Sequence, residues 1–372
     1  MNAKLACAVV LCGCTLASAA PVYRVIELPL RPADAGAMVE ARAVFEGRAV
    51  GWSVGFGQAV FWPSPAAQPV DLTPAGFPSA FAGGIWGKQQ AGYAELGGQI
   101  SAAHAFVWSG SAASAVDLHP AGYTASLVED VDGVHQAGRA TVGNRYDHAM
   151  IWSGSAASAR DLHPAGYLSS DLAGTDGEQH AGAGTAPAFP NDTHALFWDR
   201  TGAVHDLNPA GYIRSSAQAV SGTEQVGYGQ LAADPAGSRH ALLWRGTSAS
   251  AVDLTPAGFG DSIAWDVSGG RIVGTANDAN FVGHAMLWTG TTANEFLDLN
   301  QFLPPSLDDA QAFGVDAHGN IVGSARSVSA LTEFRPVMWV PVGTSVPLPP
   351  AVWPGLISLA AASAFVCRGS RP

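Results

Sequence analysis

The chain has 372 residues, 48% of them hydrophobic and only 13% charged, with a formal net charge of −12. Eleven Trp and fifteen Phe need burial, which excludes a disordered chain. Two lysines, Lys4 and Lys88, and no basic run exclude a nucleic-acid binder. The 44 Gly and 24 Pro point to many turns between short strands.

The chain opens on the pattern of an export signal, assigned to residues 1–19. Lys4 supplies the positive start, Leu5 to Leu11 is apolar, and Ala17-Ser18-Ala19 is an A-x-A cleavage site. A lipoprotein signal ending at Cys14 is the alternative, which the bulky Cys12 fits poorly. Cys7, Cys12 and Cys14 fall in this leader and Cys367 in the tail, so the body between them can form no internal disulfide. Its stability must come from core area.

From residue 22 to 342 one unit repeats. A tryptophan ending a short apolar strand recurs at Trp62, Trp108, Trp152, Trp198, Trp244, Trp288 and Trp339. A glycine after an apolar residue precedes each, at Gly51, Gly92, Gly138, Gly182, Gly227, Gly274 and Gly323. An Asp-Leu pair follows, at Asp71, Asp117, Asp161, Asp206, Asp253 and Asp298. Each period of roughly 45 residues reads as four strands, a to d, punctuated by Gly, Ser, Asp and Asn. That is the period of a propeller blade. The last period has no Asp-Leu strand, whereas the chain begins with an orphan one, Tyr23 to Leu28. The N-terminal strand is therefore expected to complete the seventh blade and remove exposed edges. The fold class that follows is all-β, a seven-bladed β-propeller.

The run His-Ala-apolar-apolar-Trp, beginning at His104, His148, His194, His240 and His284, resembles the repeat of the HAF-repeat family of extracellular bacterial proteins. The first and last copies depart from it, with Gln58 and Arg335 at the His position. The resemblance implies an extracellular or envelope location and assigns no reaction. Residues 345–372 hold Val346-Pro347-Leu348-Pro349-Pro350, an apolar stretch from Ala351 to Val366, and Arg368 and Arg371. This tail resembles the VPLPA-type relatives of PEP-CTERM sorting signals. Such a tail implies a Gram-negative envelope, an exosortase-like processing protease as partner, and transient membrane association. A final buried strand or helix is the other reading.

The five repeated histidines invite a metal site, but positions one per blade lie too far apart to share an ion. An imidazole bridging strands within its blade, to the Asp of strand d, is the expected role. The repeated Asp cannot converge as a catalytic pair, since glycoside hydrolysis needs two carboxyls in one pocket. It reads instead as the cap of the L-x-P-A-G-aromatic turn. The aromatics closing that turn, Phe77, Tyr123, Tyr167, Tyr212 and Phe259, read as wedges between blades, with a ring of sugar-stacking platforms as the alternative.

No G-x-S-x-G, H-E-x-x-H or phosphate-binding loop occurs, so the chain is expected not to be an enzyme and to need no cofactor or metal. The loops joining strands b and c differ most between repeats. They supply the candidate binding residues Arg145, Tyr146, Asp147, Asn191, Asp192, Arg239, Asp278 and Arg326. Their mixed charges suit a neutral polar ligand such as a glycan; neutral drift in solvated loops is the competing account. The expected function is an exported binding or scaffold module for glycan or extracellular matrix. A secreted polysaccharide-acting enzyme and a purely structural matrix component are the alternatives.

Overall fold

The computed structural model describes residues 21–343 except 55–56, 144, 190–191, 235–236, 291 and 330–332. The leader, the tail and Asn191 lie outside the described residues. Within the unit Tyr23–Pro341, seven four-stranded sheets form a ring. Their strands a, b, c and d run as follows. Blade 1 is Val39–Phe45, Arg48–Ser53, Gln58–Trp62 and Val70–Asp71. Blade 2 is Ser79–Trp86, Gln89–Leu96, Gln99–Trp108 and Val116–Asp117. Blade 3 is Ala125–Val131, Gln136–Val142, Tyr146–Trp152 and Arg160–Asp161. Blade 4 is Ser169–Asp176, Gln179–Thr185, His194–Trp198 and Val204–Asp206. Blade 5 is Tyr212–Ser221, Glu224–Leu231, His240–Trp244 and Val252–Asp253. Blade 6 is Asp261–Ser268, Arg271–Asn277, Gly283–Trp288 and Phe296–Asp298. Blade 7 is Asp309–Val315, Ile321–Arg326 and Arg335–Val342, completed by the N-terminal strand Val22–Glu27 beside the third of these. The orphan strand thus closes the ring, and strand a of blade 1 packs against those of both blade 2 and blade 7.

The glycine mark has a steric cause. In every blade strand a carries a β-bulge opposite it. The bulge pushes a carbonyl against strand b, so that a Cβ on Gly138 would lie 2.0 Å from the Leu127 oxygen and one on Gly274 1.9 Å from that of Ile263. Only glycine fits there.

The repeat tryptophans fill the joints between blades. Trp62 packs with Val322 and Met338 of blade 7, and Trp288 with Val226 and Leu243 of blade 5. Six of the seven have no exposed surface; Trp198 retains 3%. Four of the indoles donate Nε1–H to a carbonyl at the end of the preceding blade: Trp62 to Pro29, Trp198 to Leu162, Trp288 to Leu254 and Trp339 to Leu299.

The repeated His and Asp meet. His104, His148, His194, His240 and His284 each place Nδ1 2.6–2.8 Å from the strand-d carboxylate of their own blade. The other oxygen of that carboxylate accepts the backbone N–H two residues on, at His119, His163, Asn208, Thr255 and Asn300, and Asp71, in the blade with Gln58 at the His position, accepts that of Thr73. One carboxylate therefore ties strand c and caps the turn to the next blade. A serine of that next blade, Ser126, Ser170, Ser215 or Ser262, accepts the N–H of the alanine after the histidine. The hydrogen bond to Asp298 holds His284 above the usual imidazole range.

Candidate ligand-binding channel

Strands a line the centre of the ring, and the bulges decide what faces it. The extra residue of each bulge is Arg42, Gly83, Glu129, Ala173, Gln218, Trp265 or Phe313, one per blade. All seven line one cavity of about 310 Å³, joined there by Arg139, Asp171, Asp130 and Asp266. A second cavity of about 600 Å³, toward the a–b hairpins, shares Ala43, Asp130, Ala219 and Asp266 with the first. Its wall is mainly apolar: Phe45, Ile85, Trp86, Val131, Val134, Val220, Val267 and Val315. The channel is thus a polar, aromatic chamber on the side of the b–c loops and an apolar funnel on the other.

The waist between them is narrow because neighbouring strands a touch at the bulge. A Cβ on Gly84 would lie 2.9 Å from the Asp130 Cα, and one on Gly174 2.8 Å from the Ala219 Cα. At two of the seven waist positions an aspartate reaches across instead. Asp130 accepts the N–H of Val131 and of Thr175 in the next blade. Asp266 accepts those of Val267 and Val315 in the same way. Burial pushes Asp130 up to about 7, with the charge of Asp266 adding to it and the two N–H donors opposing. Burial likewise pushes Asp266 up to about 6.

In the polar chamber the charges are held by neighbours. The guanidinium of Arg42 lies over the rings of Phe313, at 4.2 Å, and Trp265, at 5.6 Å. Arg139 contacts Glu129 at 3.2 Å and Asp147 at 3.4 Å. Asp171 is pushed up to about 6 by burial, against the pull of Arg139. Trp52 donates Nε1–H to Glu40 at 2.9 Å and packs on Phe81, which stacks on Tyr93. Burial, then the charges of Glu129 and Glu95, raise the Tyr93 phenol. Two guanidinium groups, carboxylates on both sides of them and two aromatic faces therefore converge on one small space.

The b–c loop residues are distributed differently. Arg145, Tyr146 and Asp147 lie together, with the guanidinium of Arg145 over the Tyr146 ring. Asp147 faces inward, accepting from Thr141 and pairing with Arg139 of the chamber. Asp192 pairs with Arg214 at 3.0 Å. Arg239 makes a two-pronged pair with Asp261 at the start of the next blade. Arg326 pairs with Asp309 and lies over Phe334. Asp278 caps its own loop through the N–H groups of Asn280 and Val282. Of this set, Asp147 is the one that reaches toward the channel residues.

Two groups of residues, one giving the chamber Arg139 and the other its seven bulge residues, carried no mark in the sequence reading. The residue after each glycine mark is Trp52, Tyr93, Arg139, Ala183, Tyr228, Thr275 or Ser324, unlike in every blade but two. That divergence at fixed register was a readable signal. The bulge residues were hidden, because a bulge inserts a position that the alternation of a strand does not announce.

No protein-family profile and no curated protein matches this chain. Solved structures match its fold. The β-propeller domain of the trilobed protease from Pyrococcus furiosus is 10% identical with a TM-score of 0.51, over 82% of this chain and 93% of that one. Pyrococcus horikoshii acylaminoacyl peptidase is 10% identical with a TM-score of 0.51, over 84% of this chain and 53% of that one. A puromycin hydrolase is 14% identical with a TM-score of 0.48, over 77% and 50%. The chain thus spans about half the length of the latter two. The two Pyrococcus matches show a shared propeller fold. They also correct the expectation of a non-enzymatic protein. The same fold occurs in structures named as a protease's propeller domain and as a peptidase, so a propeller lacking a catalytic motif of its own gives no ground for that exclusion.

Proposed function

We propose that this is an exported envelope or extracellular propeller that binds a neutral, polyhydroxylated ligand, a glycan unit, in the polar chamber of its channel. The observation that carries this reading is the convergence of Arg42, Glu129, Arg139 and Asp171 with Trp265 and Phe313 at positions the repeat does not dictate. Four carboxylates against two guanidinium groups oppose an anion but do not repel an uncharged ligand. Guanidinium groups donate to hydroxyls and carboxylates accept from them, while aromatic faces cover apolar ring hydrogens. A cavity of about 310 Å³ is at the small end of ligand sites. Export rests on the leader's residues and the HAF-repeat resemblance. Sorting by an exosortase-like protease rests on the residues of the tail. A glycan array with the purified mature protein tests the reading. A neutral glycan should bind, and Arg139→Gln should weaken it about ten-fold, the loss of one charged hydrogen bond. Binding that Arg139→Gln and Trp265→Ala leave unchanged would remove the chamber from consideration.

A further inference from the structure

At the joint between blades 3 and 4, blade 4 departs from blades 2, 3 and 5 in three linked ways. Two residues before the glycine mark, blades 2, 3 and 5 carry Gln90, Gln136 and Gln225, whose side-chain oxygens accept the N–H of Gly110, Gly154 and Gly246. In blade 4 both partners of that bridge are changed: His180 replaces the glutamine and Arg200 the glycine. The 3₁₀ turn that follows Trp108, Trp152 and Trp244 gives way to a tight hairpin organised by Asp199, which accepts from Thr201 and Ala203. A cavity of about 710 Å³ opens at this joint, lined among others by His135, Arg160, His180 and Arg200 and by the carboxylates Asp161, Glu178 and Asp199, of which Asp161 is engaged by His148 and Asp199 by His205.

His180 is 5% exposed and belongs to an ordered relay. Asp132 accepts from the Gly177 N–H and from the hydroxyl of Thr175. With its proton committed to Asp132, the Thr175 oxygen can only accept from Nδ1 of His180, 3.0 Å away. The tautomer is thereby fixed, and Nε2 is a bare acceptor. No hydrogen bond engages it among the described residues, and His180 lines the cavity. Burial, with His135 and Arg160 nearby, pushes this imidazole down to about 4 and keeps it neutral.

We infer that this cleft is a second binding site, for a hydroxylated carboxylate such as a uronic acid unit. A ligand hydroxyl donates to Nε2 of His180, and the carboxylate accepts from Arg160 and Arg200. Neither arginine has an ion-pair partner within 4.0 Å among the described residues. The site requires both groups on one ligand, which separates it from the uncharged ligand of the channel.

The test is calorimetric titration of the mature protein with D-galacturonate, D-galactose and acetate, with the imidazole NMR signals of His180 as a local readout. Galacturonate should bind at least about ten-fold more tightly than the other two probes, consistent with loss of one charged hydrogen bond, and should shift the His180 signals. The double variant His180→Gln with Arg200→Gly restores the residues of blades 2, 3 and 5, so it is expected to fold, and it should lose that preference. Equal binding of the three probes, no binding of galacturonate, or wild-type affinity in the double variant would overturn the inference. Galacturonate binding lost in Arg139→Gln and kept in the double variant would place it in the channel and overturn the cleft alone.

Discussion

Substituting Gly274 by alanine should destabilise the ring far more than one methyl group suggests. The new Cβ would lie 1.9 Å from the Ile263 carbonyl oxygen and 3.0 Å from the Ala264 Cα. Both obstacles are backbone, so no side-chain rotation relieves them. Restoring a C···O separation of about 3.3 Å would open the a–b ladder by about 1.4 Å at the bulge. Overpacking of this kind costs about 1–3 kcal/mol, and a ladder hydrogen bond lost with it adds about 1 kcal/mol. A total of about 2–4 kcal/mol is expected. Gly260 is the control, since a Cβ there meets nothing within 4 Å and its φ is not positive; Gly260→Ala should stay within about 0.5 kcal/mol. Urea unfolding followed by tryptophan fluorescence reads both variants. If Gly274→Ala shifts the midpoint no more than Gly260→Ala, the steric account of the glycine mark is wrong.

Other outcomes follow from the same structure. Trp152 has no exposed surface, so Trp152→Ala should cost about 3–5 kcal/mol, read from the same unfolding curves. Removing residues up to Leu28 takes the outer strand from blade 7. It should expose the edge of Arg335–Val342 and produce aggregates in light scattering. Asp130 and Asp266 are pushed above the unfolded value of 3.8. Their stabilising contribution is therefore full below about pH 4 and lost as pH rises through about 6 to 7. The Tm should fall between pH 5 and pH 8, and the Asp130→Asn, Asp266→Asn double variant should fall less; an equal slope would show that these carboxylates ionise freely.

Much of the fold was legible because the ring is built from one repeated solution. Trp, Gly and Asp recur at fixed spacing, and each marks a distinct constraint: the joint between blades, the bulge and the strand-to-turn cap. Closure was legible from the orphan strand at Tyr23. The site was less so. Attention to the b–c loops found Asp147, which pairs with Arg139 of the chamber. It also gathered Arg239 and Arg326, which are engaged with Asp261 and Asp309. A sequence shows that a charge is unlike its counterparts, but its ion-pair partner comes from another strand or blade. Arg42, Glu129, Trp265 and Phe313 face the channel only because a bulge reverses the alternation of strand a. His180 could have been found from the broken Gln–Gly pairing, had the role of that bridge been visible.

The crystal structure of the protein with a glycan hit from the array tests the central claim most directly. The account predicts density for a sugar ring in the polar chamber, within hydrogen-bonding distance of Arg139 and of Glu129 or Asp171. Density on the outer b–c loops or the repeated c–d turns, with the chamber holding only water, would contradict it.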